Sequence, residues 1–433
     1  MLKLTKLASI LAILGTISAC QDDPQTNTPE PQAVTLKGLA LSAPQAQDMV
    51  SGEIASPTFA PINQNQDYVS FVAPISVNLD ELNLQQTQTR ISDEYWMTVS
   101  GRELNQGIAL PISQSSSVIR IAARGDISSG ALIQADAISP KNIQLIAPTD
   151  SNMSIPEATL IRSLVDTEAL ATAGLVDDSS ALIMSASAKA GQYQLKVNQS
   201  LIADAQYLVN VKEKNSPYQL SLSAPSTVEQ QTQQLTLGIA LSESTDSYTP
   251  TARLKRANGE TTALKMTYNG GQWQAELPEE LIDTSTDKAQ VELSEIQVDV
   301  ITKVNGQPVR RTVKTAFKPY VNSAKILPQV QSQWHDDLPQ ALIFDVDIAK
   351  EGRFGIKGIL VGTDATGQQQ AILQTQAAAW LTPEMHQLRV PLDPAIIKAS
   401  GLTAPFELKA LELQDQGQMA RISYQAHALT LAK

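Results

Sequence analysis

The sequence predicts an all-β chain of tandem β-sandwich domains, including an Ig-like middle domain, on three observations. Strand-length runs rich in β-branched and aromatic residues recur between turn residues along the chain. Asn258-Gly259, Asn269-Gly270 and Asn305-Gly306 each sit between two such runs, which is a hairpin signal because type I′ turns need positive φ at both central positions. Helical periodicity is convincing in one stretch alone, a short packing helix near 155–173. Aromatics make up only 4% of the chain, so Val, Ile, Leu and Ala must fill the cores.

Lys3 and Lys6 precede an apolar run from Leu7 to Ile17, too short to span a bilayer and suited to an export signal. The next residues, Ile17-Ser18-Ala19-Cys20, resemble the bacterial lipobox. That resemblance implies cleavage before Cys20 and a thioether link from its sulfur to diacylglycerol, with palmitate among the acyl chains. Cys20 is also the single cysteine of the chain, so no internal disulfide can form. Residues 1–19 are then a lipoprotein signal peptide and 20–35 a lipidated tether. The tether holds Pro24, Pro29 and Pro31 among polar residues. Fully extended, it reaches roughly 50 Å. Gln21, rather than aspartate, follows the cysteine, as in lipoproteins sorted to the outer membrane of Gram-negative bacteria.

The formal net charge is −12, and removing Lys3 and Lys6 makes it two units more negative. Nucleic acid and anionic head groups are therefore poor partners. A chain of 433 residues is too long for one core. Three domains are expected, an N-terminal β-rich domain at 36–216, an Ig-like sandwich at 217–320 and a C-terminal sandwich at 321–433.

In the first domain Tyr68 to Val72, Tyr95 to Val99 and Val118 to Ile121 read as strands, and Gly191 to Val197 places Tyr193, Leu195 and Val197 on one face. The helix is read from Ser154 and Glu157 at capping-box spacing, Pro156, the stripe Leu160, Leu164, Thr167, Ala171, and Gly174 as its stop. Asn215-Ser216-Pro217 marks a boundary, and Val313 to Phe317 ends the middle domain. In the third, Ala341 to Ile348, Phe354 to Val361 and Phe406 to Leu413 are strand-like, with a turn at Asp364-Ala365-Thr366-Gly367.

Ser92 to Trp96, Val99-Ser100-Gly101, Glu103-Leu104, Gly352-Arg353-Phe354, Leu360 to Asp364, Ala378 to Leu381 and Leu413 to Gln416 resemble the DUF4785 proteins. The resemblance implies β-sandwich domains with an Ig-like middle one, and brings no catalytic residues.

The motif inventory gives no catalytic residue, no resident metal site and no cofactor: the chain lacks a phosphate-binding glycine loop, H-E-x-x-H, C-x-x-C and G-x-S-x-G. His335 beside Asp336 and Asp337 reads as a solvated loop. Asp345 and Asp347 share a strand face and with Asp364 could offer oxygens to calcium, although alternating carboxylates on a solvent face usually serve solubility. Glu94 beside Tyr95-Trp96 could suit a sugar, with an indole stacking on the ring, or be a core aromatic pair. The expectation is a lipid-anchored, non-catalytic envelope protein that binds a protein or glycan; the alternative is an envelope hydrolase acting on glycan or peptide.

Overall fold

The structure, a computed structural model, describes residues 35–432 except 47, 58–64, 80–86, 126–133, 148–156, 175–177, 244–246, 280, 282–292 and 385. Strands dominate them, in five sheets around three separate apolar cores. Among the described residues no helix is long and apolar enough to cross a membrane.

The first body is a sandwich. Its larger sheet runs Glu94–Ser100, Gln206–Lys212, Val118–Arg124, Ser179–Met184, Ile161–Val165, and its smaller one Ile108–Ile112, Gly191–Val197, Ile143–Ile146. The strands alternate as a half-buried sheet requires: Tyr207, Val209 and Val211 point into the core, while Gln206, Leu208 and Asn210 face the other way. Tyr193, Leu195 and Val197 enter the same core from the facing sheet. Between Glu94–Ser100 and Ile108–Ile112 the chain makes the short helix Gly101–Gln106. Ser100 caps it, with its hydroxyl accepting from the Glu103 amide at 3.2 Å and the Glu103 carboxylate accepting from the Ser100 amide at 2.7 Å. Gly101 is required there, because a Cβ would collide with the Ile202 carbonyl oxygen.

The packing helix is corrected in one respect. Helical turns exist at Glu157–Leu160 and Thr167–Thr172, but Ile161–Val165 between them is an edge strand paired with Ser179–Met184. Asp166 caps the second turn and Gly174, at φ 91°, follows it. The intervening Ile-Arg-Ser-Leu-Val also has period 2, and the open edge of the sheet offers its backbone a ladder that a lone helix lacks. Ser154 and Pro156 lie outside the described residues.

The middle body has nine strands in one hydrogen-bonded order, from Thr227–Glu229 and Gln307–Tyr320 at one end to Leu220–Pro225 and Thr87–Ser92 at the other. The order folds over so that Leu220 and Leu222 share a core with Val298, Val313 and Phe317. All three Asn-Gly pairs lie at hairpin connections, but only Asn305-Gly306 has positive φ at both residues; Asn269 pairs with Gln272 so that Gly270 and Gly271 make the second turn, and Asn258-Gly259 sits in a longer connection with Gly259 alone at positive φ.

The last body packs the sheet Thr35–Ala40, Ala324–His335, Leu338–Ile348, Gln387–Pro391 against Val69–Pro74, Gln369–Leu381, Gly352–Thr363, Thr403–Asp415, Ala420–Leu431. Gly367, at φ 82°, closes the turn at Asp364.

The N-terminal domain expected at 36–216 is corrected by these pairings. Thr35–Ala40 pairs with Ala324–His335 and Val69–Pro74 with Gln369–Leu381, so both belong to the last body, whereas Thr87–Ser92 joins the middle one through Leu220–Pro225. The first body's own core begins at Tyr95. Alternation shows that a segment can pair; it does not say with which open edge, and here those edges arise far along the chain.

Candidate functional site

Cys20 and the stretch read as an export signal lie outside the described residues. His335, Asp336 and Asp337 form a two-residue hairpin turn in which both aspartates have positive φ, and His335 Nε2 lies 3.2 Å from Asp336. His386 and His427 are elsewhere in the last body, beside the Pro383 carbonyl and Glu407 respectively. The three carboxylates considered for calcium do not converge. Asp345 accepts from Gln387 at 2.9 Å, Asp347 pairs with Lys325 at 3.4 Å, and Asp364 folds its own turn by accepting from Thr366 and Gln368. These bonds, the Thr366 hydroxyl first, hold the Asp364 carboxyl below its ordinary pKa.

Tyr95 and Trp96 part company. Tyr95 is fully buried and donates to the Pro111 carbonyl at 3.1 Å; burial, then the charge of Glu213, pushes its pKa far up. Trp96, one residue on, faces out with Glu94 and Thr98 into a cleft of about 700 Å³ between the first and middle bodies. One wall is the outer face of Glu94–Ser100, Gln206–Lys212 and Val118–Arg124; the other comes from Thr251–Lys255, Ser294–Val304 and Gln307–Tyr320. Lys255, Glu295, Gln297 and Lys314 line that second wall, and Glu94, Trp96, Arg120, Arg124, Gln206 and Asn210 the first.

Side chains cross between the walls. The Trp96 indole donates to Gln297 Oε1 at 3.2 Å, and the Lys314 ammonium sits 5.6 Å from the centre of the indole ring. Gln297 in turn donates to Asp299 at 2.8 Å, which also accepts from Arg253 and Thr312. Lys314 pairs with Glu295 at 3.1 Å, and Glu94 accepts from Asn210 at 3.1 Å. At Asp93, which precedes Glu94 in the chain, burial acts to raise the pKa, but the hydrogen bond and charge of Lys212 and the Asn215 amide outweigh it, and the pKa is lowered.

The two bodies are fixed by a polar node that no motif announced. Arg311 of the middle body and Glu213 of the first are fully buried and paired at 2.6 Å. Arg311 also donates to Ser113, Ser216 and the Tyr218 carbonyl, and Glu213 accepts from the Ser113 amide at 2.7 Å. Sequence reading found Glu94 and Trp96. The opposite wall escaped it because its residues are ordinary polar positions on strands some two hundred residues later, with only their outward alternation as a signal.

Two family models match the chain, the N-terminal domain of DUF4785 over residues 61–213 and its C-terminal domain over 323–432, together more than half of its length. The chain belongs to the DUF4785 family. A crystal structure of a DUF4785 family protein from Legionella pneumophila is similar in fold, with a TM-score of 0.62 and 20% identity over 87% of this chain and 98% of that one. A search of the curated proteins gives no match. In this DUF4785 protein the residues that carried the resemblance hold the fold. Ser100, Gly101 and Glu103 form the capped turn, and Arg353 donates to Gln416 at 2.9 Å and to the Asp67 carbonyl at 2.8 Å, clamping the segment that leads into Val69–Pro74. The first wall of the cleft lies within the N-terminal DUF4785 match, and the second lies in the stretch between the two matches.

Proposed function

We propose that this DUF4785 protein is an envelope lipoprotein, anchored to the outer membrane through acylated Cys20, whose β bodies form a non-catalytic binding module for a glycan or protein. The observation that carries the binding reading is the cleft between the first and middle bodies. Its lining offers an indole, amides and charges, the groups that hold a polar ligand, and among the described residues its one hydroxyl, Thr98, has no histidine in the lining to serve as its base. Its two carboxylates, Glu94 and Glu295, are engaged by Asn210 and Lys314. The anchor reading rests on the lipobox, the single cysteine and the proline-bearing tether.

Incubating the purified chain with envelope polysaccharides and peptides tests the binding reading. Retention of one ligand class without any change in its length is the expected result. Saturable release of shortened products would overturn it in favour of a hydrolase.

A further inference from the structure

We infer that the cleft between the first and middle bodies takes an anionic polysaccharide, a glycan whose sugars carry carboxylates. The inference deepens the binding reading proposed above and rests on it.

Charge comes first. The chain as a whole is strongly acidic, yet among the described residues the cleft gathers Arg120, Arg124, Lys255 and Lys314 against Glu94 and Glu295. Lys314 is spent on Glu295. Among the described residues neither Arg124 nor Lys255 has a carboxylate partner, and both are exposed, one on each wall. Cations held in a concave site concentrate the field there and select anions even where the net charge repels them.

The lining side chains then favour a saccharide over a peptide. Both walls are faces of sheets: Gln206–Lys212 and Ser294–Val304 lie between two neighbours each, whereas Glu94–Ser100 ends its sheet and Gln307–Tyr320 has a second neighbour only at residues 318–320. Gln206 and the amide oxygen of Asn210, whose nitrogen donates to Glu94 and the Tyr95 carbonyl, match hydroxyl groups, and the half-buried Trp96 indole, bonded to Gln297 with Lys314 beside its ring, brings apolar surface on which a sugar ring stacks. A ring with hydroxyls at its rim and a carboxylate directed at Arg124 or Lys255 uses all three.

The test is titration calorimetry of the whole chain with polygalacturonate, its fully methyl-esterified form and poly-L-glutamate. Polygalacturonate should bind. Esterification, which keeps the sugar and removes the charge, should weaken binding about tenfold or more, as should the double variant Arg124→Glu, Lys255→Glu. Those two side chains are exposed, so the variant should fold as the parent does. Trp96→Ala should weaken binding by a similar factor, read only if its circular dichroism matches the parent. Equal binding of the ester would overturn the anionic preference and leave glycan binding standing. Poly-L-glutamate bound as tightly, with no effect of Trp96→Ala, would overturn the saccharide. Failure of all three polymers to bind overturns the inference, while retention of a different ligand class in the envelope screen would keep the binding-module reading.

Discussion

Arg311 and Glu213, 2.6 Å apart and fully buried, join the middle body to the first beside the cleft. Each brings further partners, so neither charge is left to the low-dielectric interior alone. The geometry of the cleft depends on this node, because it sets how the two walls face each other.

Removing one partner should therefore cost far more than removing both. Arg311→Ala leaves Glu213 buried without its cation, and about 3–5 kcal/mol of stability should be lost. The double variant Arg311→Met, Glu213→Gln should recover most of that. Urea unfolding followed by the signals of the first and middle bodies checks both; equal losses in the two variants would show that the pair is not coupled.

The capped turn after Glu94–Ser100 gives a test of close approach. Gly101→Ala would drive a Cβ into the Ile202 carbonyl and should destabilise the first body by about 1–3 kcal/mol. Gly238→Ala would approach the Ser223 side chain at 3.2 Å and meet its carbonyl only at ordinary contact distance, and should cost less. Melting temperatures of the two variants give the comparison.

The Asp93–Lys212 pair predicts a pH dependence at both ends. Because the Asp93 pKa is lowered from 3.8, its stabilisation is present above that value and is lost as pH falls through the folded pKa. Because the Lys212 pKa is raised from 10.5, its stabilisation is present below that value and is lost as pH rises through the folded pKa. Asp93→Asn should thus lower the stability of the first body by about 0.5–1 kcal/mol at neutral pH, the size expected of a partly exposed pair. The gap should close as the solution is acidified through the folded carboxyl pKa. A gap that persists unchanged into strong acid would assign the effect to packing.

The shared strands predict how the last body behaves when cut away. A fragment of residues 321–433 lacks Thr35–Ala40 and Val69–Pro74, which leaves an edge of each sheet open, so it should self-associate. A fragment that also carries residues 35–79 in trans should restore a monomer. Light scattering distinguishes the two, and a monomeric fragment 321–433 would show that the edge strands are dispensable.

The Cys20→Ser variant tests the anchor. It should leave the folded bodies intact and move the protein from the membrane to the soluble fraction, with the acyl mass absent from the intact protein.

Local rules carry a good deal of this protein. Alternation in Gly191–Val197 names the buried face and Asn305-Gly306 names a two-residue turn, because each rests on the dihedral or side-chain preferences of residues next to one another; the loop read at Asp336-Asp337 is in the structure another two-residue turn. Where two local patterns competed, as at Ile161–Val165, an open sheet edge decided the outcome.

The sequence by itself determined the all-β class, the hairpins and the alternating faces, since these follow from steric preference and burial within a few residues. Only the tertiary structure decided that Thr35–Ala40, Val69–Pro74 and Thr87–Ser92 are dealt to two later bodies, that Arg311 meets Glu213, and that Trp96 faces Gln297 across a cleft. Those pairings join residues roughly a hundred to three hundred positions apart, and which open edge or buried charge meets which partner is set by the packing of whole sheets, a property no single stretch of chain contains.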